Sequence, residues 1–320
     1  MKLYIIGNGF DIHHGLNTSY TSFGLYLKKH YNEVYELLLD YYGFDDLNPL
    51  NWDTMKDPLW SEFETNLSLL DITTVLEAHI DSIAVPGAAE FRDRDWNTFQ
   101  IDMEMVLKKL TVDLYKAFKE FILSVQFSGI ESNKIINIDR DAKYLSFNYT
   151  DTLKKYYEIP DNNVLFIHEK AEINGGELVL GHGVDPKNFE EQPEKPPLGL
   201  TAEQYEQWRQ DMAEQYDYSL ELGKDTIMSY FTETFKGTRA IIEKHTDFFN
   251  DLKNVEEVFV LGHSLADVDL PYFEELVKST DPDATWIATY YSETDKNNHF
   301  DTLSSLGIRN ISVVKIEEIL

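Results

Sequence analysis

Short apolar runs recur along the chain, and several of them end in Gly, Asn or His. Continuous apolar runs of four to six residues are typical of strands that are covered on both faces, as in a parallel sheet. The runs at residues 3–6, 143–147, 164–168, 177–180, 257–261, 286–290 and 311–316 therefore predict strands.

Between these runs, apolar residues recur every three or four positions, which is the period of an amphipathic helix. Helical stripes occupy residues 23–38 and 99–125, and residues 201–250 read as helical with a break expected near Gly223 or Gly237. The fold class is α/β: a single domain over residues 1–320 with a Rossmann-like, mostly parallel sheet. Helical insertions are predicted at about 43–130 and 186–250,.

The intervening residues 184–200 contain Pro186, Pro193, Pro196 and Pro197, and predict a long exposed loop,. The first residues, 1–7, are too short and too soon interrupted by Gly for a signal peptide, so they predict a strand,. No apolar run has the length of a membrane span, and we expect a cytoplasmic protein without membrane contact.

The composition of the chain excludes several kinds of functional site. The 320 residues include no Cys, which excludes disulfides, thiolate zinc sites and cysteine nucleophiles,. The net charge is −29, from 57 acidic and 28 basic residues. Because such a surface repels phosphate backbones, direct nucleic-acid binding is not expected.

Polar clusters follow the predicted strands, at residues 7–11, 148–151, 168, 181–185 and 262–264. Ligands of open parallel sheets bind outside the carboxyl ends of the strands. The five clusters therefore predict one pocket at this edge of the sheet.

The first cluster contains Gly7 and Gly9, between a predicted strand and a predicted helix. Glycines in this position allow close approach to a ligand, and free amides at a helix start favour a pyrophosphate. The next glycine is Gly15, so the spacing is not the dinucleotide fingerprint and a standard dehydrogenase is disfavoured,.

The later clusters are open to more than one interpretation. Asn148 suits either a ribose hydroxyl or a turn, and His168 suits either a general base or a structural role. A metal ion is a further candidate ligand, although the spacing of the residues fits no sharp metal motif. Its ligands would be His182, Asp185, His263, Asp267 and Asp269. Ser264 does not fit a nucleophile elbow, because Ala266 stands where the second Gly belongs.

Several blocks together resemble the AbiH-type bacteriophage abortive-infection family. They are residues 3–11, 15–20, 60–64, 147–153, 181–183, 261–265 and 269–273. The resemblance extends over most of the chain and implies a bacterial phage-defence protein.

The chain has a more distant resemblance to sirtuin-like NAD-binding domains. The resemblance rests on the glycine turn Gly7-x-Gly9, on Asn148, on His168 and on the turn Gly262-x-Ser264. It implies that the glycines meet the NAD phosphates, that Asn148 positions the reacting ribose and that His168 acts as a base. Bacterial defence proteins of that fold destroy NAD. Since the four-cysteine zinc module cannot exist here, NAD hydrolysis is favoured over deacylation.

We therefore predict an NAD glycohydrolase that depletes NAD in infected cells, with Asn148 and His168 catalytic and NAD as ligand. No metal is expected. The predicted ligand contacts are Gly7, Asn8, Gly9, Asp11, Tyr149, Asp151, Gly181, His182, Gly262, His263 and Ser264. Two alternatives remain: a metal-dependent phosphohydrolase or nuclease, and a non-catalytic nucleotide-binding sensor in a defence complex. A homo-oligomer or a defence partner protein is a further expectation.

Overall fold

The computed structural model describes residues 1–51, 53–87, 89, 91–129, 131, 134–192 and 194–319, so the predicted loop residue Pro193 lies outside it. Its strands are β1 (Lys2–Ile6), β2 (Lys143–Ser146), β3 (Val164–Phe166), β4 (Glu257–Leu261), β5 (Thr285–Tyr290) and β6 (Asn310–Lys315). They form one sheet in the order β3-β2-β1-β4-β5-β6, and each neighbouring pair is parallel. This is the Rossmann strand order, so the predicted fold class is confirmed.

The central strand β1 is buried on both faces, as its continuous apolar sequence predicts. Leu3 and Ile5 pack into a core on one face of the sheet. Tyr4 and Ile6 pack into a second core on the opposite face. Side chains alternate between faces along a strand, so one apolar run serves both cores.

Helices fill the long connections on either side of the sheet. Those of the described residues are α1 (Asn8–His13), α2 (Tyr20–His30), α3 (Asn32–Tyr42), α4 (Pro58–Ser61), α5 (Phe63–Asn66), α6 (Ile72–Ala78), α7 (Thr98–Lys108), α8 (Leu114–Ser124), α9 (Thr152–Tyr157), α10 (Ala202–Gln215), α11 (Tyr218–Met228), α12 (Tyr230–Glu233), α13 (Thr238–Lys244), α14 (Thr246–Asn250), α15 (Leu270–Ser279) and α16 (Glu293–Ser305). A π-helical turn, Lys109–Asp113, joins α7 to α8. In the described part of the chain, no helix has both the length and the apolar character to cross a membrane.

Glycines are ambiguous as helix signals in this chain. Gly237 directly precedes α13, as expected for a break. Gly223 instead lies inside α11, where a Cβ atom would come within 2.2 Å of the Phe99 ring. Gly223 therefore permits close packing of α11 against α7 rather than a break.

The predicted strand at 177–180 is wrong, because these residues form no strand. The hydroxyls of Tyr149 and Tyr115 donate to the carbonyls of Val179 and Leu180, at 2.7 and 2.8 Å. Side chains from other parts of the chain thus occupy carbonyls that a neighbouring strand would use.

Candidate functional site

A cavity of about 670 Å³ opens at the carboxyl ends of the central strands. After β1 the chain enters α1, whose Phe10 packs on one face of the sheet, whereas α15 follows β4 on the other. This divergence marks the switch point where Rossmann-like sheets bind ligands. The predicted residues that line the cavity are Gly7, Asn8, Gly9, Asp11, Asn148, Tyr149, His168, Gly262, His263 and Ser264.

Asp151, Gly181 and His182 do not line this cavity, which corrects their predicted grouping with the other residues. Asp151 pairs with Lys170 at 3.1 Å. A Cβ atom on Gly181 would lie 2.1 Å from a backbone oxygen of Thr234. The His182 ring packs among Phe189, Phe231 and Phe235. Asp151 and Gly181 therefore shape the surrounding structure, whereas both buried ring nitrogens of His182 lack a hydrogen-bond partner among the described residues, at a place outside this cavity.

The glycines of the first turn are needed for contact with the turn after β4. Helix α1 begins at Asn8, so Gly7 is its N-cap and no separate loop intervenes. The amide of Gly9 donates to the Gly262 carbonyl at 2.7 Å, and that of Gly7 donates to the Leu261 carbonyl at 2.9 Å. Two of the amides expected to face phosphates are thus bonded to β4 and its turn.

Gly262 is the most constrained of these glycines. Its φ is +63°, and a Cβ atom there would lie 2.1 Å from the backbone nitrogen of Phe10. We expect Gly262→Ala to lower the free energy of unfolding by about 2–3 kcal/mol, from backbone strain and overlap together.

The control is Gly43→Ala, because Gly43 has a φ of +74° but no atom within 4 Å of the position that a Cβ would take. It should lose only about 1 kcal/mol, from backbone conformation alone. Urea denaturation of both variants measures the difference. Equal losses would mean that the close approach of the two turns contributes nothing.

The side chains of Asn148 and His168 line the cavity, and each has a polar atom without a protein partner among the described residues. They follow β2 and β3, and the two residues are 5% and 2% exposed. Neither polar atom of the Asn148 amide, nor Nε2 of His168, has a hydrogen-bond partner. Buried polar groups are nearly always bonded, so these atoms are the natural contacts for a ligand.

The protonation of the two histidines follows from their surroundings. Burial, with the Lys236 charge, holds the pKa of His168 well below its usual value, although Asp269 opposes this, so the ring is neutral. The Leu265 amide donates to Nδ1 of His263 at 2.9 Å. The proton of a neutral His263 ring therefore sits on Nε2, which lies 3.5 Å from Asp269 Oδ2,.

Lys236 supplies a buried positive charge that no sequence motif indicates. Its side chain is 0% exposed, and Nζ lies 2.8 Å from Glu64 Oε2 and 2.9 Å from Asp269 Oδ1. Burial alone lowers the pKa of Lys236, but the two carboxylates outweigh it and raise that pKa. Burial alone raises the pKa of Asp269, but Lys236 and the histidines hold it low. Lys236 thus keeps Asp269 ionised beside His168 and His263.

Asp11 is a second buried carboxylate, in a different environment. It is 1% exposed and accepts hydrogen bonds from Thr150 and Thr152 hydroxyls at 2.5 and 2.6 Å. Burial raises the pKa of Asp11 to about 6, although both threonines and the nearby Asn148 amide oppose the rise. That amide lies outside hydrogen-bond geometry. In the described part of the chain, no cationic side chain pairs with Asp11.

Two of the remaining lining residues use their side chains for hydrogen bonds within the fold. Asn8 exchanges two hydrogen bonds with Thr18, at 3.0 and 2.6 Å, which ties α1 to the start of α2. The Tyr149 hydroxyl donates a hydrogen bond to the Val179 carbonyl. Ser264 is exposed at the mouth of the cavity.

The residues of the metal alternative are divided between two places: His263, Asp267 and Asp269 line the cavity, whereas His182 and Asp185 do not. Asp185 caps the short 3-10 helix Pro186–Phe189, and Asp269 is bonded to Lys236. Among the described residues, no three or more His, Asp or Glu side chains are grouped to hold a metal ion.

Comparison with known families matches residues 3–290 to the family described as Bacteriophage abortive infection AbiH. The match includes strands β2 to β5, nearly all of β1 and most of the cavity lining, but not the lining residues Asn298, Asp301 and Thr302. No curated protein and no solved structure matches the chain.

Proposed function

The chain belongs to the bacteriophage abortive infection AbiH family, which implies a role in phage defence, and we propose that it fulfils this role by hydrolysing NAD. The observation that carries the proposal is the pair Asn148 and His168. Both are buried, both have polar atoms without partners, and both line a cavity at the switch point of a Rossmann-like sheet,.

The reaction breaks the bond between ribose C1′ and the nicotinamide nitrogen. Nicotinamide leaves as a neutral molecule with the bonding electron pair, so it needs no acid. Positive charge then develops on the ribose, as in glycoside hydrolysis. Water adds its oxygen to C1′ and releases one proton, which gives ADP-ribose and nicotinamide.

Three side chains have parts in this scheme. The Asn148 amide bonds a ribose hydroxyl or orients the water. Neutral His168 accepts a proton on Nε2, and the imidazolium so formed lies 3.7 Å from Asp269 Oδ1,. Asp269 is ionised and therefore stabilises that charge.

The orientation of NAD follows from the charges of the lining. Among the described residues that line the cavity there is no Lys or Arg. The nicotinamide ribose therefore enters towards Asn148 and His168, and the pyrophosphate stays near the exposed Ser264, where water screens it,.

The test is product release by protein purified from phage-infected, protected cells. We expect nicotinamide and ADP-ribose in equal amounts, and the same rate with and without EDTA. Loss of the activity in EDTA would favour the metal-dependent alternative. Release of neither product would overturn the proposal.

A further inference from the structure

Resting on the proposed NAD hydrolysis, we infer that Asp11 is the anionic group that the cavity presents to positive charge on its substrate. The site would then select N-ribosyl compounds with a cationic base over neutral compounds of the same shape. Asp11 makes no covalent bond and moves no proton in this role.

Asp11 lacks the counter-charge that the other largely buried carboxylates of the cavity have. Glu64 and Asp269 share the ammonium of Lys236. Asp11 lies in the first turn of α1 and receives two threonine hydroxyls but no cationic side chain of the described chain, although it is more deeply buried than either Glu64 or Asp269. A buried carboxylate without a cation is costly for folding, so a cationic ligand is the partner that its position lacks.

The lining of the cavity is rich in acidic residues. The acidic residues that line the cavity are Asp11, Glu62, Glu64, Asp267, Asp269 and Asp301, and no Lys or Arg of the described chain joins them. Glu62, Asp267 and Asp301 are exposed, and Lys236 neutralises part of the charge of Glu64 and Asp269. Among the described residues, Asp11 is therefore the buried carboxylate of the lining whose negative charge no side-chain cation offsets,.

Asn148 places a free hydrogen-bonding group next to Asp11, which is independent of charge. The Asn148 side chain lines the cavity close to Asp11, and the residue is only 5% exposed. Neither polar atom of its amide has a hydrogen-bond partner in the described part of the chain. Ligand atoms bonded to Asn148 are thus held beside the Asp11 carboxylate. The charge on the nicotinamide ring moves onto the ribose during bond cleavage, so the same carboxylate acts on both states.

Asp11→Asn tests the inference, because it removes the charge and keeps an oxygen to accept from a threonine hydroxyl. The probes are nicotinamide riboside, whose base is cationic, and its reduced dihydro form, whose base is neutral. Wild-type protein should bind the cation at least about tenfold tighter, by roughly 1.4 kcal/mol. Asp11→Asn should bind both alike, and unchanged discrimination would overturn the inference.

Asp71→Asn is the matched control. Asp71 also accepts from a threonine hydroxyl, that of Thr74 at 2.7 Å, but it caps α6 and does not line the cavity. It should keep the wild-type ratio. If wild type discriminates through Asp11 yet hydrolyses no NAD, the proposed hydrolysis fails and the inference stands. If wild type hydrolyses NAD and Asp11→Asn still discriminates, the inference alone fails.

Thermal unfolding of ligand-free protein separates this role from a structural one. The folded-state pKa of Asp11 is raised from 3.8 to about 6, so its charge destabilises the fold above that pH,. Asp11→Asn should raise the Tm at pH 8, and the gain should shrink as pH falls towards 4. The neighbours Thr150, Thr152 and Asn148 do not titrate, and burial followed by the Asp11 charge raises the pKa of Tyr156, which stays neutral. A lower Tm at pH 8 would mean that Asp11 serves the fold.

Discussion

Lys236→Met is expected to lower the free energy of unfolding by about 3–5 kcal/mol. The substitution fits the buried stem but leaves Glu64 and Asp269 without the ammonium that now lies 2.8 and 2.9 Å away. Two largely buried carboxylates would then lie close together without a counter-charge. Urea denaturation at neutral pH measures the loss.

Lys170→Met is the matched control. Lys170 also pairs with two carboxylates, Asp151 and Glu172, but all three side chains are more exposed to solvent than those around Lys236. Its loss should stay within about 1 kcal/mol, because partly exposed ion pairs contribute little. Adding Glu64→Gln and Asp269→Asn to Lys236→Met should recover much of the stability, since no net charge then remains buried. Similar losses of stability for Lys236→Met and Lys170→Met would contradict the view that burial makes the ion pairs of Lys236 important for the fold.

Asn148→Ala and His168→Ala are each expected to lower kcat for nicotinamide release by about 10²–10⁴. The first removes the group that orients ribose or water, and the second removes the neutral base. Asn148→Ala should cost little stability, because neither polar atom of its amide has a partner in the fold that the structure describes,. His168→Ala also removes a buried ring that packs against Phe147 and Tyr272, so it should lower the free energy of unfolding by about 2–4 kcal/mol,. A steady-state assay and a melting curve for each variant provide both readouts.

The controls are Asn66→Ala and His30→Ala. Asn66 is also buried, but its amide donates to the Leu59 carbonyl at 3.1 Å and it does not line the cavity. It should lose stability and keep turnover, whereas exposed His30 should change neither. Wild-type kcat in Asn148→Ala would remove Asn148 from the mechanism. Retained phage protection in an inactive His168→Ala would favour the sensor alternative.

Strand periodicity and strand-end polarity predict most of the fold and much of the site. The apolar run at residues 257–261 has the same bounds as the observed strand, Glu257–Leu261. Polar residues after β1, β2, β3 and β4 are expected to converge, and Asp11, Asn148, His168 and His263 do line one cavity. This succeeds because parallel strands place their carboxyl ends on the same edge.

Long-range partners could not be predicted in the same way. Lys236 lies 172 positions from Glu64 and belongs to no motif, so nothing local indicates that its charge is buried. The segment 177–180 has the apolar character of a strand, but tyrosine hydroxyls from distant positions take its carbonyls. Local pattern carries no information on such partners.

The glycine turn shows the same limit. Gly7, Gly9 and Gly262 fit a phosphate site by pattern, yet each lies against the opposite turn, with a Cβ position within 2.8 Å of its backbone. A glycine signals that some backbone or ligand comes close, and only the structure identifies which.

The most direct test of NAD hydrolysis at this cavity is the NAD content of bacteria that express wild type or Asn148→Ala, measured before and after phage infection. The account predicts that NAD falls after infection only in cells with wild-type protein, and that these cells alone block phage production. Stable NAD in protected wild-type cells, or an equal fall in Asn148→Ala cells, would contradict it.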